Sequence, residues 1–108
     1  MTWIVELLDA RVREELEALP LDMKARFARI VGLIQGHGLE RVREPHVKHL
    51  QGRLWEMRMK GKDGISRAVY VTASGRRVVV VRIFIKKTQK TPKHELAIAL
   101  ERAKEVKE

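Results

Sequence analysis

The sequence predicts an α+β fold in which helices pack on one face of a small, curved antiparallel sheet. Apolar residues in the first third of the chain recur at helical spacing, whereas three later segments alternate apolar and polar residues between glycine-containing turns. The order of elements is strand, helix, helix, three strands and helix, which is typical of an α+β sandwich. With 108 residues, the chain is expected to form a single domain, residues 1–108.

The N-terminal part predicts a strand followed by a helical hairpin. Residues 2–6 are β-branched and aromatic, as in a strand. Asp9 is a typical N-cap for a helix that ends near Pro20, and a second helix runs from there to the glycines of residues 36–38. The connection between the helices is so short that they are expected to lie antiparallel. The apolar stripes are Val12, Leu16 and Leu19, then Met23, Phe27, Ile30, Val31 and Ile34.

The C-terminal part predicts a meander and a closing helix. Residues 39–47 are expected to form a polar connection that Pro45 interrupts. Thr91 is the predicted N-cap of the last helix, with Pro92 at its first helical position. The predicted strands are residues 54–60, 65–72 and 77–85, joined by hairpin turns at residues 61–64 and 73–76.

Side-chain alternation predicts a row of three arginines across the meander. Successive side chains of a strand point to opposite faces of the sheet. If each turn has two or four loop residues, Arg58 lies opposite Arg67, and Arg67 lies opposite Arg82. Phe84 and Lys86 then share that face. The other face would pack against the helices through Trp55, Met57, Met59, Ala68, Tyr70, Val79, Val81 and Ile83.

Such a row indicates a phosphate-binding face. Like charges on neighbouring strands destabilise a sheet, whereas arginine and lysine side chains suit phosphate groups. The alternative is that one or more of the arginines pair with Glu56, Asp63 or a helix carboxylate. A three-residue turn or a bulge would reverse the assignment of faces.

The positive charge of the chain is concentrated in one segment. Residues 46–93 carry thirteen Lys or Arg and two acidic residues, a net charge of +11, and the rest of the chain has a net charge of −2. This segregation favours a polyanionic partner. The sequence has no cysteine, which excludes disulfides and thiolate chemistry, and no signal peptide or membrane span is evident. We therefore expect a cytoplasmic protein with no membrane partner.

Three stretches resemble the RelE/ParE toxin superfamily. They are KHLQGRLWEMR (residues 48–58), SRAVY (66–70) and VRIFIKKTQKTP (81–92). Within the superfamily they are most similar to the HigB branch, the phage-derived Gp49-like proteins of bacterial toxin–antitoxin pairs. The resemblance covers essentially the whole chain. It implies a RelE-like fold with an N-terminal strand, an antiparallel helical hairpin, a three-stranded meander and a C-terminal helix.

The resemblance also implies a function: the toxin of a type II toxin–antitoxin system, an endoribonuclease that cleaves mRNA, usually in the ribosomal A site. Its partners would be mRNA, the ribosome and a cognate antitoxin, typically a helix-turn-helix protein. Some ribosome-dependent relatives place a tyrosine after the lysine run, where this chain has none and His94 lies nearby. On the pattern of the family, the catalytic residues are Arg58, Arg67, Lys87 and Lys86, with Lys48 and Lys60 as substrate contacts.

The residue types fit RNA cleavage without a metal or another cofactor. Attack of a 2′-hydroxyl on the adjacent phosphate needs a base, and it needs cations that stabilise the charge on phosphorus. A lysine whose pKa is lowered by neighbouring cations, Lys86 or Lys87, is the candidate base. Glu56 is either the alternative base or a partner that orients the arginines. Phe84 is expected to stack on an RNA base or to lie under an antitoxin or the closing helix. The predicted RNA-binding set is Lys48, Lys60, Arg82, Phe84 and Lys90.

Two other classes of function stay open from the sequence. One is a ParE-like inhibitor of DNA gyrase without nuclease activity, and the other is a noncatalytic module that binds RNA or the ribosome. A metal site is not predicted, because His46 and His49 lack a third ligand at a suitable spacing.

Overall fold

A computed structural model describes residues 2–86 and 90–107, which form a mixed sheet and three α-helices. The strand order is β1-β5-β4-β3-β2; β1 runs parallel to β5, and the other neighbours are antiparallel. No helix in these two ranges is both long enough and apolar enough to span a membrane. The elements are β1 (Ile4–Leu7), α1 (Ala10–Glu17), α2 (Leu21–His37), a 3₁₀ turn (Leu39–Arg41), β2 (Val47–Gln51), β3 (Leu54–Gly61), β4 (Gly64–Ala73), β5 (Arg77–Lys86) and α3 (Lys93–Ala103).

The helical hairpin of α1 and α2 forms as the sequence predicts. The Asp9 side chain accepts a hydrogen bond from the backbone N–H of Arg11 and so caps α1. The second helix ends where Gly38 adopts a φ of 95°, a conformation that glycine takes at little steric cost. Both helices turn their apolar stripes onto one face of the sheet. That core includes Val12, Met23, Phe27, Ile30 and Ile34 from the helices.

The third helix lies on the other face of the sheet. In β4, Ala68 and Tyr70 belong to the core under α1 and α2, whereas Val69 and Val71 belong to a second core that includes Ala99 and other α3 residues. Burial on both faces explains why this part of β4 is apolar without interruption. The predicted α+β class and order of elements are confirmed. Helices α1 and α2 pack on one face of the sheet, as expected, whereas α3 packs on the other face.

Strand β5 is displaced by two register shifts relative to the predicted pairing. The turn before it has three residues, 74–76, instead of two or four. A bulge follows at Val81, which is the extra residue between two successive pairs. The pairs that define the shifts are Ala73 with Arg77, Tyr70 with Val80, and Val69 with Arg82.

The shifts change which valines of β5 face which helix. Val79 and Val81 were predicted to pack against the helical hairpin, but they lie in the core that α3 covers. Val80 lies in the hairpin core instead. After the bulge the predicted faces return, and Ile83 packs under the hairpin as expected.

The predicted row of three arginines is wrong. Arg58 lies opposite Arg67, as predicted, but Arg67 lies opposite Phe84. Because the two shifts add in the same direction, Arg82 keeps its predicted face and moves two residues along the strand.

The sequence did not predict β2, the edge strand next to β3. Its five residues, VKHLQ, are mostly polar, and only Val47 is buried. An edge strand of this kind buries little apolar surface, so it shows no clear alternation. The predicted polar connection of residues 39–47 is therefore correct as far as residue 46.

Candidate nucleic-acid interface

Four basic residues from four adjacent strands gather on the α3 side of the sheet. They are Lys48, Arg58, Arg67 and Lys86, and we call them the cationic cluster. Arg58 and Arg67 are direct partners across β3 and β4. In the β2–β3 register, Lys48 lies opposite Glu56, and Glu56 lies on the same face of the sheet as Arg58.

Lys86 is a buried lysine of the cluster, and its pKa is lowered. Only 5% of the residue is exposed. Burial first, and then the charges of Arg67, Arg58 and Lys48, lower the pKa of Lys86 to about 8. More of the Lys86 side chains are therefore neutral near pH 7 than for an ordinary lysine, and a neutral lysine can accept a proton.

Glu56 is the carboxylate within the cluster and is fully buried. Its carboxylate contacts the Arg67 guanidinium and lies 3.8 Å from Arg58 Nε. The Thr91 hydroxyl donates a hydrogen bond of 3.2 Å to Glu56 Oε1. Glu56 thus holds both arginines and ties them to the segment that enters α3, which supports its predicted orienting role.

Arg67 is almost completely enclosed. Its side chain is 4% exposed, whereas that of Arg58 is 25% exposed. Burial lowers the pKa of the Arg67 guanidinium, but contact with the Glu56 carboxylate favours the charged form, and the side chain stays protonated. Arg67 Nε is buried without a hydrogen-bond partner among residues 2–86 and 90–107. Arg58 is consequently the arginine that a ligand can reach directly.

Arg82 does not belong to this cluster, which corrects its predicted role as an RNA contact. Its Nε donates to Glu95 Oε1 at 2.6 Å, and its Nη1 donates to Glu15 Oε2 at 2.7 Å. Both carboxylates raise the pKa of the Arg82 guanidinium, Glu95 most strongly. The alternative of pairing with helix carboxylates is the correct one for Arg82.

Arg102 joins Arg82 in binding Glu15. We call the four residues Arg82, Glu15, Glu95 and Arg102 the ion-pair network. Arg102 Nη1 donates to Glu15 Oε2 at 2.8 Å and to the backbone oxygen of Val81 at 2.9 Å. Glu15 Oε1 also accepts from the backbone N–H of Ile83 at 3.0 Å. Because β1 pairs only with residues 77–80, these side chains take the place of a neighbouring strand along the rest of β5.

Two aromatic residues of the central strands are buried, one on each face of the sheet. Phe84 is 7% exposed and packs in the core under α3, which favours the closing-helix alternative over stacking on a base. Tyr70 lies on the hairpin side, as predicted, and burial raises its pKa.

The other predicted lysines of the site are Lys60, Lys90 and Lys87. Lys60 is exposed at the end of β3, two residues beyond Arg58 on the same face, and Lys90 is exposed before α3. Lys87 lies outside the described residues. The functional roles of these lysines stay predictions. In the described parts of the chain, no group of three or more His, Cys, Asp or Glu is placed to hold a metal ion.

Comparison with known families decides the relationship that the motifs suggested. Residues 14–104 match the family described as phage-derived protein Gp49-like (DUF891). The chain belongs to this family. The resemblance to Gp49-like proteins is thereby confirmed over most of the sequence. No curated protein matches the chain.

Two solved structures, a RelE toxin and a RelE–RelB complex, have the same fold. The Gp49-like chain superposes on a double arginine-to-alanine mutant of Escherichia coli toxin RelE in the free state, with a TM-score of 0.65 and 16% identity over 94% of this chain and 98% of that chain. It also superposes on the archaeal RelE–RelB complex from Pyrococcus horikoshii, with a TM-score of 0.60 and 21% identity over 79% of this chain and 96% of that chain. The predicted RelE-like fold is confirmed.

Sequence reasoning missed two partners of the Gp49-like site. Thr91 was predicted to cap α3, but Pro92 occupies the N-cap position, and the Thr91 hydroxyl bonds Glu56 instead. Glu15 was not singled out, although it is one of the acidic residues of α1. Neither contact has a local sequence signal, because each joins residues more than thirty positions apart. His94 is 73% exposed and lies 3.4 Å from Glu95, beside the ion-pair network.

Proposed function

We propose that this Gp49-like protein is the toxin of a type II toxin–antitoxin pair and cleaves mRNA, with ribosome-bound mRNA as its substrate. The observation that carries the proposal is Lys86, a buried lysine with a pKa of about 8 beside Arg58 and Arg67. Such a group serves as a general base near neutral pH, and the adjacent guanidinium groups supply fixed positive charge. The RelE fold and the family resemblance support the same function.

The cluster supplies the groups that RNA cleavage needs. Neutral Lys86 Nζ accepts the proton of a ribose 2′-hydroxyl, and the 2′-oxygen attacks the adjacent phosphorus. The bond from phosphorus to the 5′-oxygen then breaks, and this oxygen takes a proton from water. The products are a 2′,3′-cyclic phosphate and a 5′-hydroxyl. Arg58 contacts the phosphate, and Arg67 adds positive charge from beneath as the phosphorane forms.

We further propose that an antitoxin binds and neutralises the protein. This proposal is supported by the RelE–RelB complex, which has the same fold on the toxin side. In the HigB branch, which the chain resembles, the antitoxin is typically a helix-turn-helix protein.

The experiment compares cleavage of a labelled mRNA, free and on programmed ribosomes. Purified wild-type protein is expected to give discrete cut products on the ribosomes, each ending in a 2′,3′-cyclic phosphate. Lys86→Met and Arg58→Ala should lose the products, because they remove the base and the exposed arginine. Lys62→Met and Arg29→Ala are the matched controls, since both residues are exposed and lie outside the cluster.

Three results would contradict the proposed function. The first is intact mRNA in both forms together with inhibition of DNA supercoiling by gyrase, which would favour a ParE-like protein. The second is RNA binding without cleavage under all conditions, which would leave a noncatalytic module. The third is cleavage that Lys86→Met and Arg58→Ala retain in full.

A further inference from the structure

A cavity of about 550 Å³ opens on the other side of the edge strand from the cationic cluster. Its volume lies within the usual range of small-ligand sites, about 300–1,000 Å³. Tyr70, buried on the hairpin side of the sheet, forms its floor. Trp55 is 39% exposed at its wall, and the rings of Trp55 and His49 lie 4.9 Å apart at an angle of 53°. The cavity is therefore lined by aromatic rings, two of which are partly open to solvent.

The charges that line the cavity cancel. Glu40 and Glu44 contribute two negative charges, and Arg43 and Lys48 contribute two positive charges. The remaining lining is mostly apolar and includes Leu39, Val42 and Val47. A phosphate group would gain little in such a site, whereas a neutral planar ring would be favoured by the aromatic walls.

Lys48 connects the cavity to the cationic cluster. It lines the cavity, and its charge also acts on Lys86 across the sheet. The two sites lie on opposite faces, but β2 is the outermost strand, so a polymer can pass from one face to the other over this edge. A nucleic-acid strand with its phosphates on the cluster would therefore bring a neighbouring nucleotide to the mouth of the cavity.

We propose that the cavity receives one unpaired base of the bound RNA, which stacks on the Trp55 ring that His49 supports, while Lys48 contacts the phosphate beside it. This inference rests on the proposed RNA substrate and adds a base-binding site away from the reacting phosphate. Single-stranded RNA is commonly recognised in this way, because each base offers a flat face that an aromatic side chain can cover. An apolar side chain of a partner protein fits the cavity less well, since such an occupant would not need the link through Lys48 to the cluster.

The test uses a short 2′-O-methyl oligoribonucleotide, which has no free 2′-hydroxyl and cannot be cut. A Trp3→Phe background leaves Trp55 as the only tryptophan of the chain. Titration with the oligonucleotide is expected to quench the Trp55 emission. Trp55→Leu should weaken binding by about 5- to 100-fold, because one stacked base is lost. The salt dependence of binding should be unchanged, because the phosphate contacts remain.

A series of oligonucleotides with one abasic position each sharpens the test. In the Trp3→Phe protein, a single abasic position should cost much more affinity than the others, and in Trp55→Leu that extra cost should disappear. His49→Ala is the second variant, with the same expected pattern, in case Trp55→Leu does not fold.

Each other outcome has a definite meaning. Tight, salt-dependent binding with unchanged Trp55 emission and no effect of Trp55→Leu or His49→Ala would overturn the base-binding site and leave the proposed function standing. A protein partner that quenches Trp55 when RNA does not would overturn it in favour of a protein occupant. An absence of RNA binding even at low salt would overturn both the site and the proposed function.

Discussion

The α3 side of the sheet carries two groups of arginines, one with an excess of positive charge and one in which the charges are balanced. The cationic cluster places Lys48, Arg58, Arg67 and Lys86 around one buried carboxylate, Glu56. In the ion-pair network, two arginines meet two glutamates.

The comparison shows which arginines are available to a ligand. In the network, every positive charge is matched, and the side chains complete the hydrogen bonding of β5. In the cluster, one carboxylate faces four cations among the described residues. Burial, and then the charges of Arg67, Arg58 and Lys48, lower the pKa of Lys86. We therefore expect the basic side chains of this sheet to contact RNA where nearby carboxylates do not balance their charge.

Replacing Lys86 should have the largest effect on activity. Lys86→Met keeps the length of the side chain and removes its amine, so cleavage is expected to fall by about 10²- to 10⁴-fold. The variant is expected to stay folded, because methionine keeps the bulk of the buried side chain. Cleavage rates and thermal unfolding measured on the same sample check this prediction. Cleavage within threefold of the wild type would exclude Lys86 as the base.

Replacing Glu56 should affect stability and activity together. Glu56→Gln leaves Arg67 charged and buried without a carboxylate, which is expected to cost about 3 kcal/mol of unfolding free energy. The maximal rate should fall more than the substrate affinity, since the arginines lose their alignment. Denaturant unfolding and single-turnover kinetics measure the two effects. An unchanged unfolding free energy would show that the carboxylate does not hold the cluster together.

Replacing Arg82 should affect stability alone. Arg82→Met removes the bonds to Glu15 and Glu95 in a partly exposed network, and we expect a loss of about 2 kcal/mol. RNA cleavage by the protein that remains folded should be unchanged. Arg29→Met on the exposed side of α2 is the control. A large loss of cleavage at a temperature where Arg82→Met is folded would place Arg82 in the functional site after all.

Replacing Lys60 should have the smallest effect. This exposed lysine is expected to contact one phosphate at the border of the cluster, so Lys60→Ala should weaken RNA binding a few-fold. The slope of log K against log salt concentration should become about 0.7 less steep, as for one lost contact with a single strand. Anisotropy titrations at several salt concentrations give the slope. An identical slope for Lys60→Ala and wild type would remove Lys60 from the interface.

The sequence predicts the elements whose apolar residues recur at a clear period, but it does not determine the register of β5. Asp9 marks the start of α1 through its side-chain hydrogen bond, and Gly38 marks the end of α2 through its positive φ, so both helices were predicted correctly. Val78, Val79, Val80 and Val81 are identical side chains, and an apolar pattern cannot tell which of them faces which helix. The sequence therefore could not predict the bulge at Val81 or the three-residue turn before β5.

The candidate site was predicted in part for a similar reason. Arg58 and Arg67 come from strands with clear alternation and were assigned to the correct face. Lys86 lies in β5 and keeps its predicted face because the two register shifts add up to two residues. The position of α3 was missed, although the unbroken apolar run of Ala68, Val69, Tyr70 and Val71 signals burial on both faces. The partners of Arg82 come from α1 and α3, and no local pattern reports contacts between such distant segments.

The most direct test of the central claim is the pH dependence of single-turnover RNA cleavage. The pKa of Lys86 is lowered, and its neutral form is the proposed base, so the rate should rise about tenfold per pH unit up to about pH 8 and level off above it. Lys86→Met should lose this rise, whereas Arg82→Met should retain it. A rate that does not change between pH 6 and 9, or a rise that Lys86→Met retains, would contradict the account.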